Sequence, residues 1–448
     1  MTAIPLFFSL YGCDKESVKS VTPIAVPPRA LPPPLCGALS CALAALAALG
    51  TEHSARAQGA PLDYGSAPAG SERWVKACSQ RHPVCVHGGP GTAPPTMLAA
   101  LAALDRAWET LTGALAAPAP DGEPDGVWHL YLTDGVEGGL QVRPVSLDPR
   151  SRGDRATSLA LLDRRTPRGC PLDLAAARAV ATGSLLRAAP ATDLGSARAE
   201  TQMLARLATP CAVPDDDQVA FQASPESALF DPESWQRDAG ASMFHGWLDR
   251  NFSRQPGALV TGMWALAPTR TPPGAARWAG KPTGFDVLRS SLAGAFGTDS
   301  DLDDLFEQFG IARALVRPAA HLAWHVDWPT RPRRLASPLP VSPTGASYVM
   351  IDHTGAPPGA SLRVEASWED FGRMRWSVIK LDAAGRPIAV LPMTSTRLAT
   401  TAALTVELID DVDRFIVVGV NVGSTEHPFD PNQGWWEPHG WLLTLQGG

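Results

Sequence analysis

Five prolines fall within the fifteen residues from Pro329 to Pro343, and the spacing of apolar side chains differs on the two sides of them. Upstream, Met97, Leu101, Leu104, Trp108, Leu111 and Leu115 recur at steps of four and three, which is one apolar face of a helix running from Thr96 to Ala116. Downstream the period is two. Leu362, Val364, Ala366 and Trp368 alternate with Arg363, Glu365 and Ser367, and Met374, Trp376 and Val378 alternate with Arg373, Arg375 and Ser377. A change of period across a stiff proline-rich stretch predicts two differently built parts, an α+β half followed by an all-β antiparallel sandwich.

The sandwich is expected over 346–448. Its strands are read at Tyr348–Asp352, Leu362–Trp368, Met374–Val378, Pro387–Leu391, Leu404–Ile409, Phe415–Val420 and Trp441–Leu445, with a hairpin turn at Asp382-Ala383-Ala384-Gly385. Residues 329–345 read as its proline-rich linker. In the first half, 73–223 reads as an α+β unit, with strands at Val127–Leu132, Gly139–Val145 and Thr157–Asp163 and helices at Leu172–Arg187 and Ser196–Ala208. Residues 224–328 read as a helical subdomain. There Met243, Phe244, Trp247, Leu248, Leu259, Val260, Met263, Trp264, Leu305, Phe306 and Phe309 lie at helical spacing and are assigned to its core, with Gly310 as a break or close-packing point.

The chain begins differently. Leu35 to Gly50 is the longest apolar run, Arg29 lies upstream, and Ala55-Arg56-Ala57 supplies small residues at −3 and −1 before Gln58. That is the pattern of a secretory signal peptide, assigned to 1–57 with a doubtful N-terminal extension, followed by a flexible linker at 58–72. A rival reading anchors the chain by lipid at Cys13. Cleavage removes Cys13, Cys36 and Cys41 and leaves Cys78, Cys85, Cys170 and Cys211, an even number in an exported chain, expected as the disulfides Cys78–Cys85 and Cys170–Cys211. The second pair brackets the two helices at 172–208, and an antiparallel helix pair returns the chain to its start.

The balance of 38 basic against 45 acidic residues, net −7, argues against a nucleic-acid partner. No apolar run is long enough for a membrane span. The sequence has no G-x-S-x-G elbow, no P-loop and no G-x-G-x-x-G after a strand. His321 and His325 have the spacing of two ligands on one helix face but lack the glutamate of H-E-x-x-H, and they enter the proline-rich stretch as a connecting strand. Asp299, Asp301 and Asp303 alternate like the start of a calcium loop but without its later glycine and glutamate, so Ser300 and Asp303 are read as helix caps. The 424–440 segment gathers Glu426, His427, Asp430, Trp435, Trp436, Glu437 and His439, a composition able to bind a sugar or an ion at a sandwich end.

The order of a helix (96–116), strands (127–163), a helix after Cys170 and a second helix carrying Glu200 resembles the catalytic half of the secreted bacterial gluzincin metallopeptidases. The helical region and C-terminal β-sandwich that follow fit the same resemblance. In that family H-E-x-x-H on the first of the two helices supplies two zinc ligands and the base, and a glutamate on the next completes the site. Here Glu200 matches that glutamate, while the Leu172–Arg187 helix carries no histidine and no glutamate. The resemblance therefore implies a metallopeptidase-like domain with a degenerate site, no metal and no cofactor. Glu200 is then a relic ligand, expected to reach solvent or to pair with Arg178. The function expected is an exported, non-catalytic protein that acts by binding a protein or a cell-surface glycan. Two alternatives stand beside it. One is a hydrolase or peptidase assembled from dispersed residues such as Glu200, Asp163 and His245; the other is a carbohydrate- or surface-binding protein working through the 424–440 loop.

Overall fold

The computed structural model describes residues 64–448 except 123–124, 149–150, 152, 210, 212–215, 230–238, 268–269, 272–274, 276–277, 279–283, 297–301, 317–323, 394–398, 408–410 and 425–436. The signal-peptide and lipid-anchor expectations, His321, Asp299, Ser300 and Asp301 lie outside the described residues. The described residues form one compact unit of mixed α+β structure.

The N-terminal sheet contains β1 (Val75–Cys78), β2 (Val84–Gly88), β3 (Trp128–Thr133), β4 (Leu140–Leu147) and β5 (Ala156–Asp163), in the order β1-β2-β3-β5-β4. The β2–β3 and β3–β5 pairs are parallel; β1 and β4 are antiparallel edges. Val84, Val86, Leu130, Leu132, Ala160 and Leu162 point from one face into a core shared with α1 (Pro94–Trp108) and α2 (Cys170–Ala188). Pro94 and Pro95 start α1 where their missing N–H groups cost nothing. A wide helical turn over Glu109–Ala114 prolongs it.

Helix α2 buries Ala176, Ala177, Ala179, Val180, Ala181 and Gly183, and these small side chains let neighbours approach closely. A Cβ on Gly183 would lie 2.9 Å from the Pro120 ring. Asp193 caps α3 (Leu194–Ala208), its Oδ1 accepting from the Ser196 amide at 2.9 Å. Both expected disulfides are present. Cys78–Cys85 ties register partners of the β1–β2 hairpin, and Cys170–Cys211 joins the start of α2 to the residue just past α3, with Cα atoms 5.8 Å apart. In the loop-entropy picture a bridge of that span stabilises by about 4 kcal/mol.

Among the described residues, α4 (Asp216–Ala223) is followed in the middle of the chain by α5 (Ser242–Phe252), α6 (Ala258–Leu266), α7 (Gly284–Phe296) and α8 (Leu302–Leu315). The aromatics read as core are core. Phe244, Trp264, Phe306 and Phe309 are buried in the same cluster as the face of the N-terminal sheet that packs on α1 and α2.

Among the described residues the C-terminal sandwich has nine strands rather than seven. One sheet has the order β11-β10-β13-β8-β6 and the other β12-β9-β14-β7. The additional strands are β6 (Trp324–Val326) and β7 (Arg333–Ala336); the rest are β8 (Ala346–Asp352), β9 (Ser361–Trp368), β10 (Gly372–Leu381), β11 (Pro387–Pro392), β12 (Thr401–Glu407), β13 (Arg414–Ser424) and β14 (Trp441–Gly447). The 329–345 stretch is therefore part of the sandwich and not a linker before it. Its prolines flank β7, which pairs with β14, while Val341 makes an isolated bridge to His439. Proline is tolerated in these places because each strand is short and lies at a sheet edge. His325, on β6, pairs with Asp352 of β8. The turn at Asp382–Gly385 forms as expected, with Gly385 at φ +76 and its N–H on the Asp382 carbonyl.

The period-two reading holds for β9, β12 and β14, whose buried residues alternate with exposed or half-buried ones. Strands β8, β10 and β13 are buried on both faces. Phe415 and Val417 face the second sheet; Ile416, Val418, Val420 and Val422 join the helical core, as do Tyr348, Ile379 and Leu381. This explains the nearly continuous apolar run Phe415–Val422. Three polar residues of β10 meet α8. Arg373 pairs with Asp303, Arg375 with Asp304 at 3.4 Å, and Ser377 donates to Glu307 at 2.7 Å. Asp303, expected as a cap, is thus a docking residue. Gly310 does not break α8. It lets β13 approach, since a Cβ there would lie 2.5 Å from Val420 Cγ2, and its carbonyl accepts from Tyr348 Oη at 2.9 Å. The sandwich is therefore a body with a covered face. Expressed alone as 324–448, it is expected to aggregate and to bind a hydrophobic dye, because that face loses its helices. A monomeric fragment with native-like dispersion in a proton NMR spectrum would contradict this.

Candidate functional site

Glu200 sits in the middle of α3 and is 1% exposed. Its Oε2 accepts a 2.7 Å hydrogen bond from Trp264 Nε1 of α6, and its Oε1 lies 3.6 Å from His245 Nε2 of α5. A small cavity beside it is lined by Ala191, Thr192, Met263, Trp264, Ala267, Gly284 and Val287. The expected partner Arg178 is elsewhere, surrounded by the charges of Asp217, Arg206 and Arg198. The relic-ligand expectation is corrected accordingly: Glu200 neither reaches solvent nor pairs with arginine, because α5 and α6 pack over α3 and an indole N–H supplies its hydrogen bond.

Burial pushes the Glu200 carboxyl up to about 8, although the Trp264 hydrogen bond opposes the shift; the neighbouring Asp193 adds to it. Burial likewise pushes His245 down to about 3. At neutral pH the acid is held protonated and the imidazole neutral, which is how an apolar interior accommodates such a pair. Of the three dispersed residues named for a hydrolase, the fold joins Glu200 and His245 and leaves Asp163 out. Asp163 ends β5 and holds Arg165, whose hydrogen bonds bring its carboxyl down to about 2. Trp264 was legible only as a core aromatic, yet a buried indole N–H usually finds an acceptor.

The residues do not build a zinc centre of the H-E-x-x-H type. Helix α2 offers no imidazole or glutamate, and both Glu200 oxygens face buried partners. Among the described residues no group of three or more His, Cys, Asp and Glu converges to hold a metal ion. Among the same residues no helix is long and apolar enough to cross a membrane.

At the sandwich end, Glu426, His427, Asp430, Trp435 and Trp436 lie outside the described residues. Glu437 is exposed. His439 is buried, its Nδ1 3.4 Å from Glu369 Oε2. The hairpin between β9 and β10 adds a residue that sequence reasoning missed. Phe371 is 58% exposed and has φ +69, a conformation that a bulky side chain rarely adopts.

No family model matches the chain, and no curated protein matches it. Among solved structures it is similar to the pre-peptidase C-terminal domain of a collagenase from Bacillus anthracis, with 7% identity over 29% of this chain and 97% of that one, at a TM-score of 0.18. It is also similar to chitosan-binding module 1 of a chitosanase/glucanase from Paenibacillus sp. IK-5, with 14% identity over 25% and 74% and a TM-score of 0.16. A third is the K1 cleaved adhesin domain of Lys-gingipain from Porphyromonas gingivalis W83, with 12% identity over 25% and 64% and a TM-score of 0.15. Similarity at this level assigns neither a family nor an activity.

Proposed function

We propose that the chain is an exported, non-catalytic binding protein whose first half keeps the layout of a gluzincin-type metallopeptidase without its chemistry. The observation that carries this reading is the closure of Glu200 between Trp264 and His245 at 1% exposure. A zinc peptidase needs three protein ligands and an open position for water or substrate. Here the carboxyl group is shut away and the helix packed against its own carries alanines. The two disulfides fit an oxidising compartment, in keeping with export.

A second observation favours a glycan or other cell-surface partner at the sandwich end. Phe371 is held out at positive φ, a backbone strain of the kind concentrated at binding sites, next to Glu369 and its His439 contact. An exposed aromatic ring can stack on the apolar face of a sugar. The test has two arms. Incubated with denatured casein and added zinc, the protein should give no cleavage above the blank; cleavage that disappears in Glu200→Gln would refute the non-catalytic reading. In native gels containing laminarin, xylan or soluble chitosan, at least one polysaccharide should retard the protein and Phe371→Gly should remove the retardation. Unchanged retardation in that variant would move the contact away from Phe371, and no retardation on any of the three would leave a protein partner as the reading.

A further inference from the structure

We propose that His87 and His129 form a two-imidazole binding site for copper(II) on the face of the N-terminal sheet opposite α1 and α2. The two histidines come from adjacent parallel strands, β2 and β3. The register sets Cys85 against His129 and His87 against Tyr131, so the histidines are diagonal neighbours on one face. His87 Nε2 and His129 Nδ1 face each other at 3.0 Å. Two nitrogens that far apart, each about 2.0–2.1 Å from a shared ion, subtend an angle of about 91–97° at it. Tetrahedral coordination would open them to about 3.3–3.4 Å at the same bond lengths. A right angle is the cis arrangement of tetragonal copper(II), which also stands highest among first-row divalent ions for imidazole ligands.

The surroundings prepare both rings. His129 Nε2 lies 3.4 Å from Asp125 Oδ1, so the carboxylate holds a proton on that nitrogen and leaves Nδ1 bare for the ion. Tyr131 stacks on His87 with centroids 4.5 Å apart and planes at 21°, fixing its orientation, and Trp74 packs edge-on against Tyr131. Both histidines are buried, at 9% exposure, while the Asp125 side chain is 46% exposed and marks the way in from solvent. With His129 Nδ1 bare, the proton between the rings sits on His87 Nε2, and it moves to His87 Nδ1 when the ion binds, so both ligands stay neutral imidazoles. Water fills the remaining positions around the ion.

Copper(II) sulfate titrated into the full disulfide-bonded chain, with glycine present to suppress weak surface binding, tests the site. One copper per chain is expected, with an electron paramagnetic resonance spectrum showing two imidazole nitrogens. His87→Gln and His129→Gln should each weaken binding at least 10- to 100-fold, and Asp125→Asn about 10-fold. His325→Gln, which removes an exposed histidine that also lies beside a carboxylate, should leave binding unchanged. Copper binding that survives in the His87→Gln/His129→Gln double variant, or no stoichiometric binding at all, would overturn the proposal and leave the pair as a simple N–H···N hydrogen bond. A readout on the unaltered protein avoids dependence on the variants folding. Substoichiometric copper should broaden the imidazole NMR signals of His87 and His129 first, and broadening confined to other histidines would equally overturn it.

Discussion

Raising the pH from 6.5 to 8.5 is expected to weaken the fold by about 2 kcal/mol, and Glu200→Gln is expected to remove that loss. The folded Glu200 carboxyl is pushed up to about 8 from an ordinary 4.5, so between those values the folded chain binds a proton that the unfolded chain does not. Its contribution is complete below about pH 4.5 and is lost as the pH rises through 8. His245 works in the opposite direction. It is pushed down to about 3 from 6.5, so its contribution is present above 6.5 and is lost as the pH falls toward 3. Between 4.5 and 6.5 the two slopes cancel, because burial has in effect moved one proton from the histidine to the glutamic acid. Stability should therefore show a plateau there, fall on the alkaline side through Glu200 and fall on the acid side through His245. Glutamine keeps an oxygen for the Trp264 N–H and cannot ionise, so its curve should stay flat above pH 6.5. Glu200→Ala should cost about 3 kcal/mol at pH 6, since it leaves that N–H unpaired beside a new void. Urea unfolding across the pH range measures all three curves; an alkaline slope that persists in Glu200→Gln would assign it to another group.

Arg313→Met is expected to cost about 4 kcal/mol, a loss comparable with breaking a buried ion pair. Arg313 is 1% exposed on α8 and holds the end of α4. Its Nε donates to Gln222 Oε1 at 2.8 Å, its Nη atoms donate to the carbonyls of Phe221 and Pro225, and its guanidinium lies 3.8 Å over the Phe221 ring. Methionine fills much of the volume but takes away the guanidinium donors to Gln222, Phe221 and Pro225, of which Pro225 keeps the Ala346 amide. Arg313→Lys should recover only part of the loss, because an ammonium cannot present the planar fork that three separate acceptors require. The damage should spread to the sandwich. The segment after α4 gives its Pro225 and Glu226 carbonyls to the amides of Ala346 and Ser342, and Leu229 N–H donates to Thr344 Oγ1 at 2.8 Å. Faster amide exchange at Ser342 and Ala346 in the variant is the expected accompaniment. A urea midpoint within error of the parent would show that this network contributes little.

Most elements were legible because their apolar spacing is strong. The helices at 94–108, 170–188 and 194–208 and the seven strands after residue 346 fall close to where periodicity sets them. What escaped depends on partners distant in sequence. Arg373, Arg375 and Ser377 read as a solvent face because α8 is invisible from β10's own sequence, and the same blindness made a covered sheet look like an ordinary half-exposed one. Strand β7 was hidden by its flanking prolines. Of the candidate site, Glu200 and His245 could be named singly, but their meeting through Trp264 depends on how α5 and α6 cross α3. His87 and His129 drew no attention, since 42 residues separate them and only the parallel pairing of β2 with β3 brings them together.

The central claim is that Glu200 is a sealed structural anchor and not the remnant of a working zinc centre. Zinc content after dialysis of the parent and of Glu200→Gln, each loaded beforehand with one equivalent of zinc, tests it most directly. The closed packing of Glu200 against Trp264 and His245 predicts that neither protein retains stoichiometric zinc. One zinc per chain in the parent, lost in Glu200→Gln, would contradict the claim and restore a metallopeptidase site.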